Sequence, residues 1–187
     1  MIPTVQVNSY ASDYCVRLAN ADDAERINVI ETEACSRFTE TDLFEKLIDE
    51  ERKIRTFDRE HLRELIEKQQ VWVACHCELP VGFAICSIFG DTAFVDEIDV
   101  MTAHGRRGLA TALIQQACEW ARKRGLVSMD LSTFIQIPWN APFYTKLGFE
   151  VVPPEQWTEG IKAIRRAETD VGLPMESRVI MRLRLDR

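Results

Sequence analysis

The chain has 187 residues and a formal net charge of −7, with 46% hydrophobic and 28% charged residues. That length suffices for one domain over residues 1–187 with a real core. The acidity argues against nucleic acid, whose binding rests on neutralising phosphates. No run reaches membrane-spanning length, and the N-terminal stretch lacks a basic region followed by an apolar one. Neither a membrane span nor a signal peptide is therefore expected, and a cytoplasmic location is.

Residues 1–12 read as a loose leader. Tyr14-Cys15-Val16-Arg17-Leu18 reads as the first strand. Asn20 or Asp22 caps a helix through about Ser36, with Ile27, Ile30, Ala34 and Glu31 inward. Phe38, Thr39 and Glu40 follow as a loop, either lining a cleft or simply capping the helix. From Thr41 to Lys68 the spacing of Leu43, Leu47 and Ile54, then Leu62, Leu65 and Ile66, predicts one or two helices. They break near Thr56-Phe57-Asp58, where Asp58 is a cap, and His61 lies on the solvent side. Gln70–Glu78, a turn at Leu79-Pro80, and Val81–Phe89 predict a strand pair. Gly90-Asp91 turns into a third strand, giving an antiparallel meander.

Six cysteines are scattered along the chain. Cys75-His76-Cys77 lies in a predicted strand, so Cys75 and Cys77 share an inward face with Val71 and Val73. No second Cys/His cluster completes four ligands, and no metal is expected. Free thiols fit a reducing compartment.

The central run is Ala93 to Gly125. Phe94-Val95-Asp96-Glu97-Ile98-Asp99-Val100 predicts a strand. Arg106-Arg107-Gly108 then opens a helix whose Leu109, Ala112, Leu113, Ala117 and Trp120 share one face. Arg122, Lys123 and Arg124 suit its C-terminus, and Gly125 stops it. A helix N-terminus carries N–H groups without internal partners and a positive dipole end. With two arginines and a glycine there, the join predicts a pyrophosphate cradle. The plainer alternative is a basic loop capping an ordinary helix.

Further on, Val127–Leu131 predicts a strand parallel to the central one, because a helix separates them. Pro138–Lys146 reads as a short helix ended by Gly148, and Phe149–Val152 as a strand. Trp157–Thr169 is a helix with Ile161, Ile164 and Ala167 on one side, within a helical insertion over 153–175. Arg178–Leu185 is a last strand. In it Val179, Met181, Leu183 and Leu185 alternate with Arg178, Ile180, Arg182 and Arg184.

Two motifs resemble the GNAT N-acetyltransferase superfamily. Gly105-Arg106-Arg107-Gly108-Leu109-Ala110 is similar to its Arg/Gln-x-x-Gly-x-Gly/Ala signature after a central strand. It departs at Gly105, the family's Arg/Gln slot, and at Arg106, the usual glycine. Asn140-Ala141-Pro142-Phe143-Tyr144-Thr145-Lys146-Leu147-Gly148-Phe149 resembles the family's Asn…Phe-Tyr-x-x-Leu-Gly-Phe. The resemblance spans roughly Val71 to Val152. It implies a mixed α/β fold of GNAT type: a mostly antiparallel central sheet flanked by helices, with one splayed parallel strand pair. It also implies acetyl-CoA as co-substrate.

The resemblance further implies roles for single residues. The main chain of Ile98, Asp99 and Val100 pairs with pantetheine, as an added strand does. Backbone N–H groups from Arg106, Arg107, Gly108, Leu109, Ala110 and Thr111 hold the pyrophosphate, and Asn140 bonds the pantetheine amides. Tyr144 donates a proton to the departing thiolate, its phenol being a fit for that task. Its plain alternative is a core anchor. For the base, strand alternation turns Asp96 one way and Glu97 and Asp99 the other. Asp96 is favoured slightly, then Glu97. The alternative is carboxylates that merely line a cationic pocket while water takes the proton. Trp139 walls the acceptor site or merely packs, and His104, just before the cradle, either approaches a phosphate or, the favoured reading, is an exposed loop residue. No cysteine reads as a nucleophile paired with a base, so direct attack is expected.

The reading is an acetyl-CoA-dependent N-acetyltransferase acting on a primary amine of a small molecule. The alternatives are a protein N-terminal or lysine acetyltransferase, or a non-catalytic acyl-CoA-binding module. No membrane or nucleic-acid partner is expected, and a homodimer through the C-terminal strands is allowed.

Overall fold

The computed structural model describes residues 5–6, 13–38 and 57–185. Thr39, Glu40 and the helical reading of 41–56 lie outside these residues, as does most of the leader. The chain forms two compact units, Met1–Cys86 with Glu97–Ala117 and Ser87–Asp96 with Cys118–Arg187.

In the first unit, strand β1 (Val5–Gln6) pairs antiparallel with β2 (Tyr14–Leu18), and β2 with β3 (Val71–His76). Strand β4 (Leu79–Phe89) returns along β3 and runs on into the second unit. The turn between them is not Leu79-Pro80 as the sequence suggests. It is Cys77-Glu78, both left-handed at φ +47° and +69°. A two-residue hairpin needs that conformation at both positions, and glycine or asparagine normally supplies it. Pro80 instead sits within β4, opposite Cys75 where the register shifts.

Asn20 accepts from Asp22 N, and the Asp23 carboxylate accepts from Asn20 N, which caps a short 3-10 turn. Helix α1 (Ala24–Cys35) follows. Asp58 accepts from His61 N and starts α2 (Arg59–Glu67). Ile27, Ile30, Leu62, Leu65 and Ile66 from these helices pack against Val71, Val73, Phe83 and Ile85. Burial of each such side chain is worth about 1.5–3 kcal/mol. Cys75 joins this core, whereas Cys77 is exposed. The turn ends the alternation on which their shared face depended.

Strand β5 (Thr92–Val100) and helix α3 (Leu109–Lys123) also run through both units. Leu109, Leu113, Ala117 and Trp120 are buried, as their spacing predicts. Gly125 ends the helix at φ +73°, with Leu126 N donating to Ala121 O.

In the second unit, Thr92–Val95 of β5 pairs parallel with Ser128–Leu131 of β6 (Ser128–Phe134). This strand starts one residue later and ends three residues later than expected, because Ser132, Thr133 and Phe134 continue the ladder with β8 (Arg178–Arg184). Helix α4 (Ala141–Lys146) is shorter than expected and is ended by Gly148 at φ +90°. Strand β7 (Glu150–Val151) pairs with the other side of β8. Helix α5 (Glu159–Asp170), capped by Thr158, buries Ile161 against Val152 and Ile180. Ala167 is exposed, contrary to its expected inward place. In β8, Ile180 and Met181 are both buried. β8 lies between β6 and the two-residue β7 in the sheet. Among the described residues no helix is long and apolar enough to cross a membrane.

Candidate active site

Side chains of α1 and of the 3-10 turn that follows it, Ser36–Phe38, brace the segment that leads from β5 into α3 and the strand β4 beside it. Arg37 Nη2 donates to Val100 O at 2.8 Å. The Glu33 carboxylate accepts from Thr102 N at 3.1–3.2 Å. Arg26 Nε donates to Pro80 O at 2.9 Å, and Met101 N donates to Val81 O at 2.9 Å. Gly82 matters for the same stretch: a Cβ there would stand 2.9 Å from both Asp99 O and Val100 Cγ2. None of Arg26, Glu33, Arg37 and Gly82 carries a motif, and sequence reasoning missed them. Only their contacts across the fold single them out.

Beyond this anchored segment, Thr102–His104 forms a 3-10 turn, and Gly105 N closes it on Thr102 O. Arg106 is left-handed at φ +57° and Gly108 at φ +81°. No atom lies within 4 Å of where a Gly108 Cβ would stand, so this glycine is demanded by conformation while the space beside it is open. The first intrahelical bond of α3 is Ala112 N to Gly108 O. The N–H groups of Leu109, Ala110 and Thr111 therefore have no partner within the helix. Arg106, Arg107 and Gly108 are exposed around them. This is the donor set an anionic diphosphate needs.

His104 is not the free loop histidine expected. Its Nδ1 meets the Tyr14 hydroxyl at 2.9 Å, and the Arg107 guanidinium lies over the Tyr14 ring at 5.7 Å. Burial, then His76 and Arg107, lowers the His104 pKa.

The face of β5 turned toward α1 carries acid. Glu31 is 5% exposed, and its Oε2 accepts from Phe57 N at 3.2 Å. Burial first, then the Glu97 charge, pushes its carboxyl up to about 8. Asp99 is likewise raised, by burial, then by Glu97, with the Arg37 guanidinium at 4.0 Å opposing. Burial and the same acids push the Cys35 thiol up to about 12, which makes it a poor nucleophile. The structure thus brings Glu97 and Asp99 together with Glu31. It does not bring Asp96 to them: the Asp96 carboxylate accepts from Ser87 Oγ at 2.6 Å.

The remaining expected residues belong to the second unit. Tyr144 is 7% exposed, with its ring edge-on to Phe143 and Phe149 at 5.1 and 5.6 Å. Asn140 caps α4 through its carbonyl, which accepts from Phe143 N and Tyr144 N, while its side chain makes no capping bond. Trp139 is 42% exposed.

A strand, a left-handed glycine turn and an open helix N-terminus coincide here with the sequence match. The profile of the acetyltransferase (GNAT) family matches residues 15–149. The chain belongs to the GNAT family of acetyltransferases. It is therefore an acyltransferase by family.

Similarity to individual proteins is more distant. A Bacillus subtilis protein is 28% identical over 130 residues, covering 66% of this chain and 86% of that one. An N-acetyltransferase of Methanocaldococcus jannaschii is 36% identical over 84 residues, covering 40% of this chain and only 37% of that one. Among solved structures, the Salmonella typhimurium protein yncA with its cofactor acetyl-CoA aligns at TM-score 0.66. It shares 20% identity over 94% of this chain and 96% of its own. The PaiA N-acetyltransferase from Thermoplasma acidophilum in complex with coenzyme A aligns at 0.65, with 18% identity over 91% and 98%. Such likenesses establish the GNAT fold: mixed α/β, mostly antiparallel, with helices flanking the sheet and one parallel strand pair.

Proposed function

We propose that this GNAT chain acetylates a primary amine of a small molecule, using acetyl-CoA and direct attack. The observation that carries the reading is the strand–turn–helix from Glu97 to Ala117. It presents exposed Arg106, Arg107 and Gly108 at an open helix N-terminus and carboxylates on the strand before it. The N–H groups of Arg106–Thr111 hold the pyrophosphate, and the main chain of Ile98 and Asp99 pairs with pantetheine. The Val100 carbonyl already accepts from Arg37, so it serves that pairing less. Asn140 bonds a pantetheine amide.

In the reaction the amine nitrogen attacks the thioester carbonyl. A C–N bond forms and the C–S bond breaks. The amine loses one proton to a base, and the thiolate gains one from Tyr144. Glu97 is the base in this reading. It shares its face with Asp99 and Glu31. Asp96 is the weaker choice, because its carboxylate is engaged by the Ser87 hydroxyl at 2.6 Å. The raised thiol of Cys35 supports direct attack over an acyl-enzyme.

The test is calorimetric titration with acetyl-CoA, followed by thiol release against an amine panel. Wild type binds and turns over. Gly108→Trp folds but fails to bind. Tyr144→Phe and Glu97→Gln keep binding, and their turnover falls by about 10²–10⁴-fold. Binding without turnover on any amine overturns the enzyme reading in favour of an acyl-CoA-binding module. Turnover on peptides alone moves the acceptor to proteins.

A further inference from the structure

The corner where β2, β3 and β4 meet carries a second set of chemistry-bearing groups. Asp13, His76 and Cys77 each offer a ligand atom, and these atoms lie within 4.8 Å of one another. Tyr14 stands directly across from His76 in the β2–β3 ladder, and Cys77 N donates to Asp13 O at 3.0 Å. The pairing register therefore brings Asp13, just before β2, against Cys77, just after β3. Cys75 takes no part, because it points into the core. The three residues do not belong to the cradle or to the acidic face of β5.

We infer that Asp13, His76 and Cys77 form a three-ligand site for a divalent transition metal of the zinc class. The donors are one carboxylate oxygen, one imidazole nitrogen and one sulfur. That mixture favours a borderline-soft ion over calcium or magnesium, which take oxygen ligands. Bond lengths of about 2.0–2.3 Å at tetrahedral angles place ligand atoms roughly 3.3–3.8 Å apart. The ligand atoms lie within 4.8 Å of one another, so binding requires them to close by roughly an ångström. A water completes the fourth position. On binding, the Cys77 thiol gives up its proton to solvent and coordinates as thiolate. Cys77 is exposed, so both the metal and the departing proton have access.

The surroundings also suit an oriented imidazole. The His76 ring stacks on Tyr14 at 4.6 Å between centroids, with the planes 29° apart. Tyr14 in turn bonds His104 and lies under Arg107. A metal held by His76 fixes this stack and clamps the start of β2 to the β3–β4 turn.

The experiment uses the reduced, full-length chain freed of metal and titrated with cobalt(II). Wild type binds one equivalent and shows a thiolate-to-cobalt charge-transfer band, which zinc displaces. Its thermal midpoint rises with zinc, as mass action on the folded state requires. Cys77→Ser loses the band, while Cys15→Ser keeps it. Asp13→Asn and His76→Gln each weaken binding by about ten-fold or more. Circular dichroism confirms that all the variants fold. A band that survives Cys77→Ser overturns the site. So does binding unchanged in both Asp13→Asn and His76→Gln, or a folded, reduced wild type that takes up no cobalt.

Discussion

The Arg37 guanidinium donates to the Val100 carbonyl at 2.8 Å, tying the 3-10 turn after α1 to the last residue of β5. The same group stands 4.0 Å from the Asp99 carboxylate, in a patch otherwise made acidic by Glu97, Glu31 and Glu33. One cation thus fixes the approach to the cradle and offsets the charge of the strand that leads to it. Arg37→Ala removes a charged hydrogen bond worth about 1.5–3 kcal/mol. Thermal unfolding shows this as a midpoint lowered by several degrees. Calorimetry shows weaker acetyl-CoA binding, because Val100 and Met101 set the position of the turn that follows. A melt matching wild type would remove Arg37 from this role.

Glu31 makes stability depend on pH in a direction opposite to that of a paired carboxylate. Its folded pKa is about 8, above the ordinary 4.5 of the unfolded chain. Between those values the unfolded state has lost the proton and the folded state keeps it. Stability therefore falls as pH rises from 4.5 to 8, by about 1.4 kcal/mol for each unit of separation. Glu31→Gln keeps an oxygen for Phe57 N and removes the titration. Urea unfolding is expected to show the variant more stable than wild type at pH 8, with the difference shrinking towards pH 5. A gap that does not change with pH would refute the shift.

Gly82→Ala tests how closely β4 packs against β5. The added methyl meets a backbone oxygen and a valine side chain at 2.9 Å, and the oxygen cannot swing aside. Overpacking of this kind costs about 1–3 kcal/mol. The displacement falls on Asp99 and Val100, so acetyl-CoA affinity drops together with the thermal midpoint. A stable variant with weakened binding would place the effect on the ligand rather than on packing.

In the second unit, Asp130 on β6 is bound two-pronged by Arg182 on β8, at 2.6 and 2.7 Å, and its side chain is 1% exposed. Arg182→Ala strands a buried carboxylate and costs about 3–5 kcal/mol. The double variant Asp130→Leu with Arg182→Leu recovers most of that loss, because no buried charge remains. Chemical denaturation of the single and double variants decides this. Equal losses in the two would show that shape, not charge, is what the pair provides.

The helices and the glycine turn before α3 were largely legible in the sequence. Ile27, Ile30 and Glu31 recur at helical spacing, Asp58 is a capping type, and Gly108 and Gly125 mark left-handed positions. Each signal lies within a few residues of the element it specifies, so local propensity and periodicity reveal it. The two family motifs are local in the same sense. Misreadings came where local signals compete. Pro80 drew the β3–β4 turn towards itself, although Cys77-Glu78 makes it. The alternation of Arg178–Leu185 placed Ile180 and Met181 on opposite faces, yet both are buried, and Arg178 and Arg182 pair with Glu168 and Asp130.

The sequence by itself determined the family, the order of most elements and the glycine turn that opens α3, because those rest on contacts between near neighbours in the chain. Only the tertiary structure decided that Glu97 rather than Asp96 joins Glu31 and Asp99. It also decided that Arg37 reaches Val100 across 63 positions, that His104 is held by Tyr14, and that Asp13 meets His76 and Cys77. Strand register and helix packing set those meetings, and no short-range pattern in the chain encodes them.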